Sequence, residues 1–188
     1  MYLSMTEICY RFGASMLIDK FNNTIDSWIS ALDGFELSQL LEKPNEVSWS
    51  LGQLYNHLIE DTGWFIGQIE DSLSDEVNVN VEMSEAAKTI FAHGSFPDQR
   101  IQGNPVSAEK VKQPNSIKEI RTGMEQLKLA ANAIWIRMQS TQHFGKSEHP
   151  GLGFFNSHEW LQYAEMHLRH HLKQKERIEA TIKITGHE

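Results

Sequence analysis

The chain has 188 residues, of which 40% are hydrophobic and 22% charged, the composition of one ordinary globular domain over residues 1–188. A core forms at that length without disulfides or a structural metal, so any metal is expected to be functional. Lys and Arg total 17 against 25 Asp and Glu, and the net charge of -8 repels a phosphate backbone, so nucleic acid is not expected as a partner.

The predicted elements follow in chain order. Ala14, Ile18, Phe21, Ile25, Trp28 and Leu32 recur at three- and four-residue steps and predict a first helix from about Gly13 to Leu32, with Gly34 as its stop. A second is expected from about Ser50 to Leu73, opened by a capping box of Ser50 and Gln53, with Leu51, Leu54, Leu58, Thr62, Phe65 and Ile69 facing inward. The segment Ser74–Asn115, holding Pro97, Pro105 and Pro114, is too long for a hairpin connection. It predicts one short helix around Glu85–Ala92 and a crossover that leaves the second and third helices parallel. Val77, Val79 and Val81 alternate with polar residues, as an extended stretch or a surface linker would. The third helix starts after Ser116 and carries Ile117, Ile120, Met124, Leu127, Ala131, Ile134 and Met138 at near-heptad spacing. The fourth starts near Asn156 or Ser157 and runs to about Ile182, before Gly186. Four amphipathic helices with no competing strand pattern predict an all-α four-helix bundle with a long crossover between its second and third helices.

Cys9 is the single cysteine, so neither an intrachain disulfide nor a cysteine zinc site can form. The opening residues lack the apolar block of a signal peptide, and no stretch approaches the ~18 apolar residues of a membrane span. A cytoplasmic protein with no membrane partner is expected.

Nine histidines are the distinctive feature of the composition. On the fourth helix the inward stripe reads Trp160, Ala164, His167, His171, Gln174, Ile178 and Ile182, which stacks two imidazoles on one face where both can reach one metal ion. Core histidines satisfied by hydrogen bonds fit the same pattern. His170 is rotated by about 100° from His171, toward the flank. His57, at the edge of the second helix's stripe and one turn before Asp61, is a candidate third ligand or a boundary residue. His93, His143, His149, His158 and His187 fall in loops or at helix ends, where solvated side chains are expected. Gln174 could orient a ligand histidine, Asp61 and Glu60 could do the same or move a proton, and Tyr163 could donate to a substrate oxygen.

The segment Trp49-Ser50-Leu51-Gly52-Gln53-Leu54-Tyr55-Asn56-His57-Leu58 resembles the opening of the second helix in the DinB-like (DNA-damage-inducible protein B) superfamily. His149-Pro150-Gly151-Leu152-Gly153, then Glu159-Trp160-Leu161 and His167-Leu168-Arg169-His170-His171-Leu172-Lys173-Gln174, is similar to the closing segment and fourth helix of that family. The resemblance implies a divalent metal held by His57, His167 and His171 near one end of an up-down-down-up bundle, which leaves His170 flanking or behind the ligands, while Gln174 and Asp61 stand behind them by their helix positions alone. It departs in the Phe154-Phe155-Asn156 entry to the fourth helix and in the long crossover, both of which would reshape the pocket rim.

Three neutral imidazoles leave an open coordination position, as catalytic rather than structural sites do. Nitrogen ligation suits zinc first and nickel next, without excluding cobalt, iron or copper. The activities implied by the resemblance are metal-dependent hydrolysis and transfer of a low-molecular-weight thiol to an electrophile. In either case the substrate is a small molecule. The alternative is a metal-binding or stress-response bundle without turnover. Five tryptophans and the near-heptad third helix give more apolar surface than one bundle must bury, which suggests a homodimer.

Overall fold

The computed structural model describes residues 5–97, 111–142 and 144–185. Helix α1 spans Met5–Ala31 and tightens into a 3-10 turn at Leu32–Gly34. A short α2, Leu37–Leu41, precedes α3, Leu51–Ser74. The crossover carries α4, Glu85–His93, and the bundle resumes with α5, Ile117–Ser140. Strands β1, Ser147–His149, and β2, Gly153–Phe155, form an antiparallel hairpin that leads into α6, Ser157–Thr185. No described helix is long and apolar enough to cross a membrane. Pro105 and Gly186 lie outside the described residues, as does the side chain of Ala14.

Helices α3, α5 and α6 start where side chains satisfy the first free backbone amides. Ser50 Oγ accepts from the Gln53 amide at 3.1 Å while Gln53 Oε1 accepts from the Ser50 amide at 3.2 Å, the expected box. Ser116 caps α5 through the Glu119 amide. At α6 the cap is Asn156, whose Oδ1 accepts from the Glu159 amide while Glu159 Oε2 accepts from the Asn156 amide.

Residue pairs fix the direction of each helix. Gly123 meets Ile59, Leu127 meets Gly63 and Arg137 pairs with Glu70, so α5 runs parallel to α3. Asn132 bonds Asn22, Lys128 bonds Asp26 and Arg121 bonds Asp33, so α5 is antiparallel to α1. Thr24 donates to Glu165 and the Trp28 indole to the Leu168 carbonyl, so α6 is parallel to α1. The result is the up-down-down-up bundle. A Cβ on Gly123 would sit 2.7 Å from Ile59 Cδ1, so the missing side chain lets the parallel pair approach closely there. Trp28, Trp160, Tyr55, Phe21 and Phe155 are the largest fully buried side chains.

Three expectations need correction, the first being the start of α1, which lies at Met5 and not near Gly13. The bundle carries a β-hairpin, although no strand pattern competes in the sequence, because its strands are too short to show alternation. Val77, Val79 and Val81 take the surface-linker alternative and not the strand. The chain turns there, with Asn78 at φ 58° and the Val81 amide donating to the Asn78 carbonyl, and all three valines are exposed. The short α2 has no counterpart in the expected elements.

Candidate metal centre

Helices α3 and α6 pack antiparallel, so successive turns of one face successive turns of the other in reverse order. His57 thereby meets His171, and Asp61, one turn on, meets His167. One ring nitrogen from each of His57, His167 and His171 lies within 4.8 Å of the others, and among the described residues no other three His, Cys, Asp or Glu groups converge so. His57 Nε2 is 3.3 Å from His171 Nε2, which is 3.2 Å from His167 Nε2. Metal-to-nitrogen bonds of the usual length in a tetrahedral site place their nitrogens about 3.3 Å apart.

The second nitrogens determine which way the lone pairs point. Gln174 Oε1, an acceptor, lies 2.8 Å from His171 Nδ1, which therefore carries the ring proton and leaves its Nε2 lone pair facing the cluster. His57 Nδ1 faces Asp61 Oδ1 at 3.5 Å, which favours the same tautomer. Only His167 can then donate into the cluster. One proton serves only one of the two Nε2 contacts, so His57 and His171 still oppose lone pair to lone pair. Three neutral rings do not close this network, whereas a central cation does. His167 Nδ1 is buried without a hydrogen-bond partner, as a ring held from its other nitrogen would be.

Burial keeps all three rings neutral. It lowers the His57 pKa, against a smaller opposing effect of Asp61 and Glu60. It lowers His171 to about 4, helped by His57. His167 is pushed well below the ordinary value by burial and then by its neighbouring histidines. Neutral, desolvated imidazoles are the form a metal binds. Asp61 is 41% exposed on its side chain, and its Oδ2 lies 3.7 Å from His167 Nε2. Burial raises its pKa while His57 lowers it. The donor set fits a divalent cation, and Asp61 lies beside two of its three rings.

Aromatic rings wall the cluster. Trp49 covers His57 at 4.9 Å between ring centres, and Phe65 meets His167 edge-on at 5.3 Å. His149, expected to be solvated, instead stacks on Trp160 at 5.5 Å and lies 4.8 Å from Tyr163. The hairpin holds it there, anchored where Trp160 Nε1 donates to Ser147 Oγ at 2.7 Å. His158 likewise packs against Trp135, and burial lowers its pKa. His143 and His187 lie outside the described residues. Tyr163 is 7% exposed; burial and then the Asp61 charge push its hydroxyl up to about 12, so it stays a neutral donor. His170 turns to the flank, 5.3 Å from the His171 ring centre and 5.5 Å from Phe96. Phe96 and His149 are the neighbours that helical periodicity misses; the Pro150-Gly151 turn was the available signal for His149.

No family model and no curated protein matches the sequence. The solved structure of YfiT from Bacillus subtilis, described as a probable metal-dependent hydrolase with an unusual four-helix bundle topology, matches with a TM-score of 0.61. Identity is 14%, and the match covers 98% of this chain and 91% of YfiT. At that identity the likeness establishes the fold.

Proposed function

We propose that this chain is a metal-dependent hydrolase of small molecules that holds one divalent ion on His57, His167 and His171. The observation that carries this reading is the convergence of three neutral imidazoles, with His171 Nε2 3.3 Å from His57 Nε2 and 3.2 Å from His167 Nε2. The description of YfiT and the resemblance to DinB-like proteins support it. When bound, the ion supplies a Lewis acid that acidifies water and polarises a substrate oxygen. Gln174 orients His171 through its Nδ1 proton, and Asp61 orients His57. Asp61 Oδ2, within reach of both the cluster and solvent, accepts the proton of the attacking nucleophile. The Tyr163 hydroxyl offers a neutral hydrogen bond to the substrate, and Phe65, Trp160 and Trp49 exclude water from the ligand side. Zinc is the first choice of metal and nickel the second.

Elemental mass spectrometry of protein purified without chelator tests the reading. Near one equivalent of metal per chain, lost in His57→Ala, supports it. Protein that carries no metal and takes up none on titration overturns it. Ester and amide panels then test hydrolysis. A sulfur-to-metal charge-transfer band on adding a low-molecular-weight thiol to the cobalt-substituted protein would move the assignment to thiol S-transfer. Metal retained without turnover in either assay would leave a binding module.

A further inference from the structure

The hairpin is fixed to the bundle at three points. Ser147 Oγ donates to the Gln68 carbonyl at 3.0 Å and accepts from Trp160 Nε1 at 2.7 Å, which ties β1 to both α3 and α6. The Ser84 amide donates to the Leu152 carbonyl at 2.8 Å, which ties the turn to the start of α4. Gly153 takes φ 83°, and a Cβ there would sit 2.9 Å from the Glu82 carbonyl oxygen, so the crossover lies directly against β2. His149, at the end of β1, is therefore carried on a rigid support. Its ring stacks on Trp160 and lies 4.8 Å from the Tyr163 ring centre.

One nitrogen of that ring is committed and the other is not. His149 Nδ1 lies 3.0 Å from the Pro150 carbonyl oxygen, so it carries the ring proton and leaves Nε2 as an acceptor. Burial lowers the His149 pKa against the opposing effect of that bond, which keeps the ring neutral. Among the described residues, none bonds His149 Nε2 or the Tyr163 hydroxyl. The sealed side-chain atoms without a partner are instead Thr62 Oγ1 and His167 Nδ1, so both of these groups are open to a ligand. An acceptor and a neutral donor thus stand side by side, unused by the fold. Tyr163 lies one turn before His167 on α6, and Phe65 touches both rings, at 5.1 and 5.3 Å. The charge that acts on the Tyr163 hydroxyl is the Asp61 carboxylate, which disfavours an anion there. Trp64, 43% exposed and 6.3 Å from the His149 ring centre, adds open aromatic surface beside the pair.

We infer that His149 and Tyr163 form a recognition subsite for the carboxamide of a neutral substrate, with the Tyr163 hydroxyl donating to its carbonyl oxygen, His149 Nε2 accepting from its N–H and Trp64 covering its apolar body. A group that offers an acceptor and a donor together satisfies both side chains, whereas an ester leaves the imidazole without a partner. The choice of an amide over an alcohol rests on the hydrolase reading, since only the amide is hydrolysed. The binding itself needs none of the three clustered imidazoles.

Ligand-observed NMR titration of chelator-treated protein with benzamide, methyl benzoate and benzoate tests the inference. Benzamide binds saturably, and more tightly than methyl benzoate, which lacks the N–H, or benzoate, which carries a charge. His149→Phe keeps a stacked ring but weakens benzamide roughly three- to tenfold, the scale of one neutral hydrogen bond, and leaves methyl benzoate unchanged. Tyr163→Phe weakens both neutral probes, and Trp64→Ala weakens them alike. Circular dichroism confirms that the variants stay folded. Methyl benzoate or benzoate binding as tightly as benzamide would overturn the inference, as would benzamide affinity unchanged in His149→Phe and Tyr163→Phe, or no benzamide binding at all. Protein that takes up no metal yet shows this preference keeps the subsite and refutes only the hydrolase reading, whereas bound metal without the preference refutes only the subsite.

Discussion

Replacing Gln174 with Leu separates the orienting role of that residue from its place in the fold. The side chain sits on the α6 stripe three residues after His171 and meets the cluster through the 2.8 Å bond from His171 Nδ1. Leu has comparable volume and helix propensity and continues toward buried Ile178, so unfolding free energy should move by less than about 1 kcal/mol. Without its acceptor, the imidazole loses what fixes its tautomer and ring orientation. Partners of this kind contribute roughly 10- to 100-fold in metal affinity, or about 1.4–2.8 kcal/mol. Loss of the bond also lowers the His171 pKa further, because Gln174 raises it. That change gives no compensation near neutral pH, since a ring with a pKa of about 4 is already deprotonated there. Competition against a chromophoric zinc chelator measures the affinity, with Gln174→Glu as the control that keeps an acceptor. Wild-type affinity in the Leu variant, or an equal loss in the Glu variant, would refute the orienting role.

Removing the metal by chelation, or a ligand through His171→Ala, should leave the helical circular dichroism largely intact, since the buried core from Phe21 to Ile182 does not depend on the cluster; unfolding would show that the ion is structural. The metal-free protein should weaken in acid. The folded His171 pKa is about 4 against 6.5 unfolded, so the unfolded chain binds more protons between those values. Stability is full above pH 6.5 and falls by up to about 3 kcal/mol as pH drops toward 4, with His57 and His167 acting in the same direction; urea midpoints that stay flat across that window would contradict it. Gly145→Ala should cost about 2 kcal/mol or more, because its Cβ would lie 2.0 Å from the Asp75 carbonyl oxygen, a backbone atom. An unchanged melting temperature would show that the loop yields without cost.

The helices were legible because their signals are local and redundant. Each step from Ile120 to Met138 marks the same face, and Ser50 with Gln53 and Ser116 with Glu119 announce two of the starts. The parallel run of α3 and α5 followed from the length of the crossover. Within the candidate site, helical spacing puts His167 and His171 on one face of α6, while His57 entered only through its place at the edge of a stripe and the family resemblance. What spacing could not reach is the hairpin. Ser147-Glu148-His149 and Gly153-Phe154-Phe155 are too short to show a period of two, so beyond the Pro150-Gly151 turn between them nothing local says that His149 folds back onto Trp160. Phe96 is hidden for a similar reason: its neighbours Tyr163, His167 and His170 are chosen by the crossover and not by its own sequence context.

His57 and His171 stand 114 residues apart along the chain, and that separation gives the cluster a place in the order of folding. Closing a loop of this length costs about 4 kcal/mol in its length-dependent part, and the closure must be driven by the packing of α6 on α3, because the ring contacts come only after it. The chain before α6 contributes a single imidazole, His57, to the cluster. Tight capture of one therefore marks chains in which the last helix has already found the second, and the rate at which metal is taken up by a refolding sample becomes a clock for that long-range docking step.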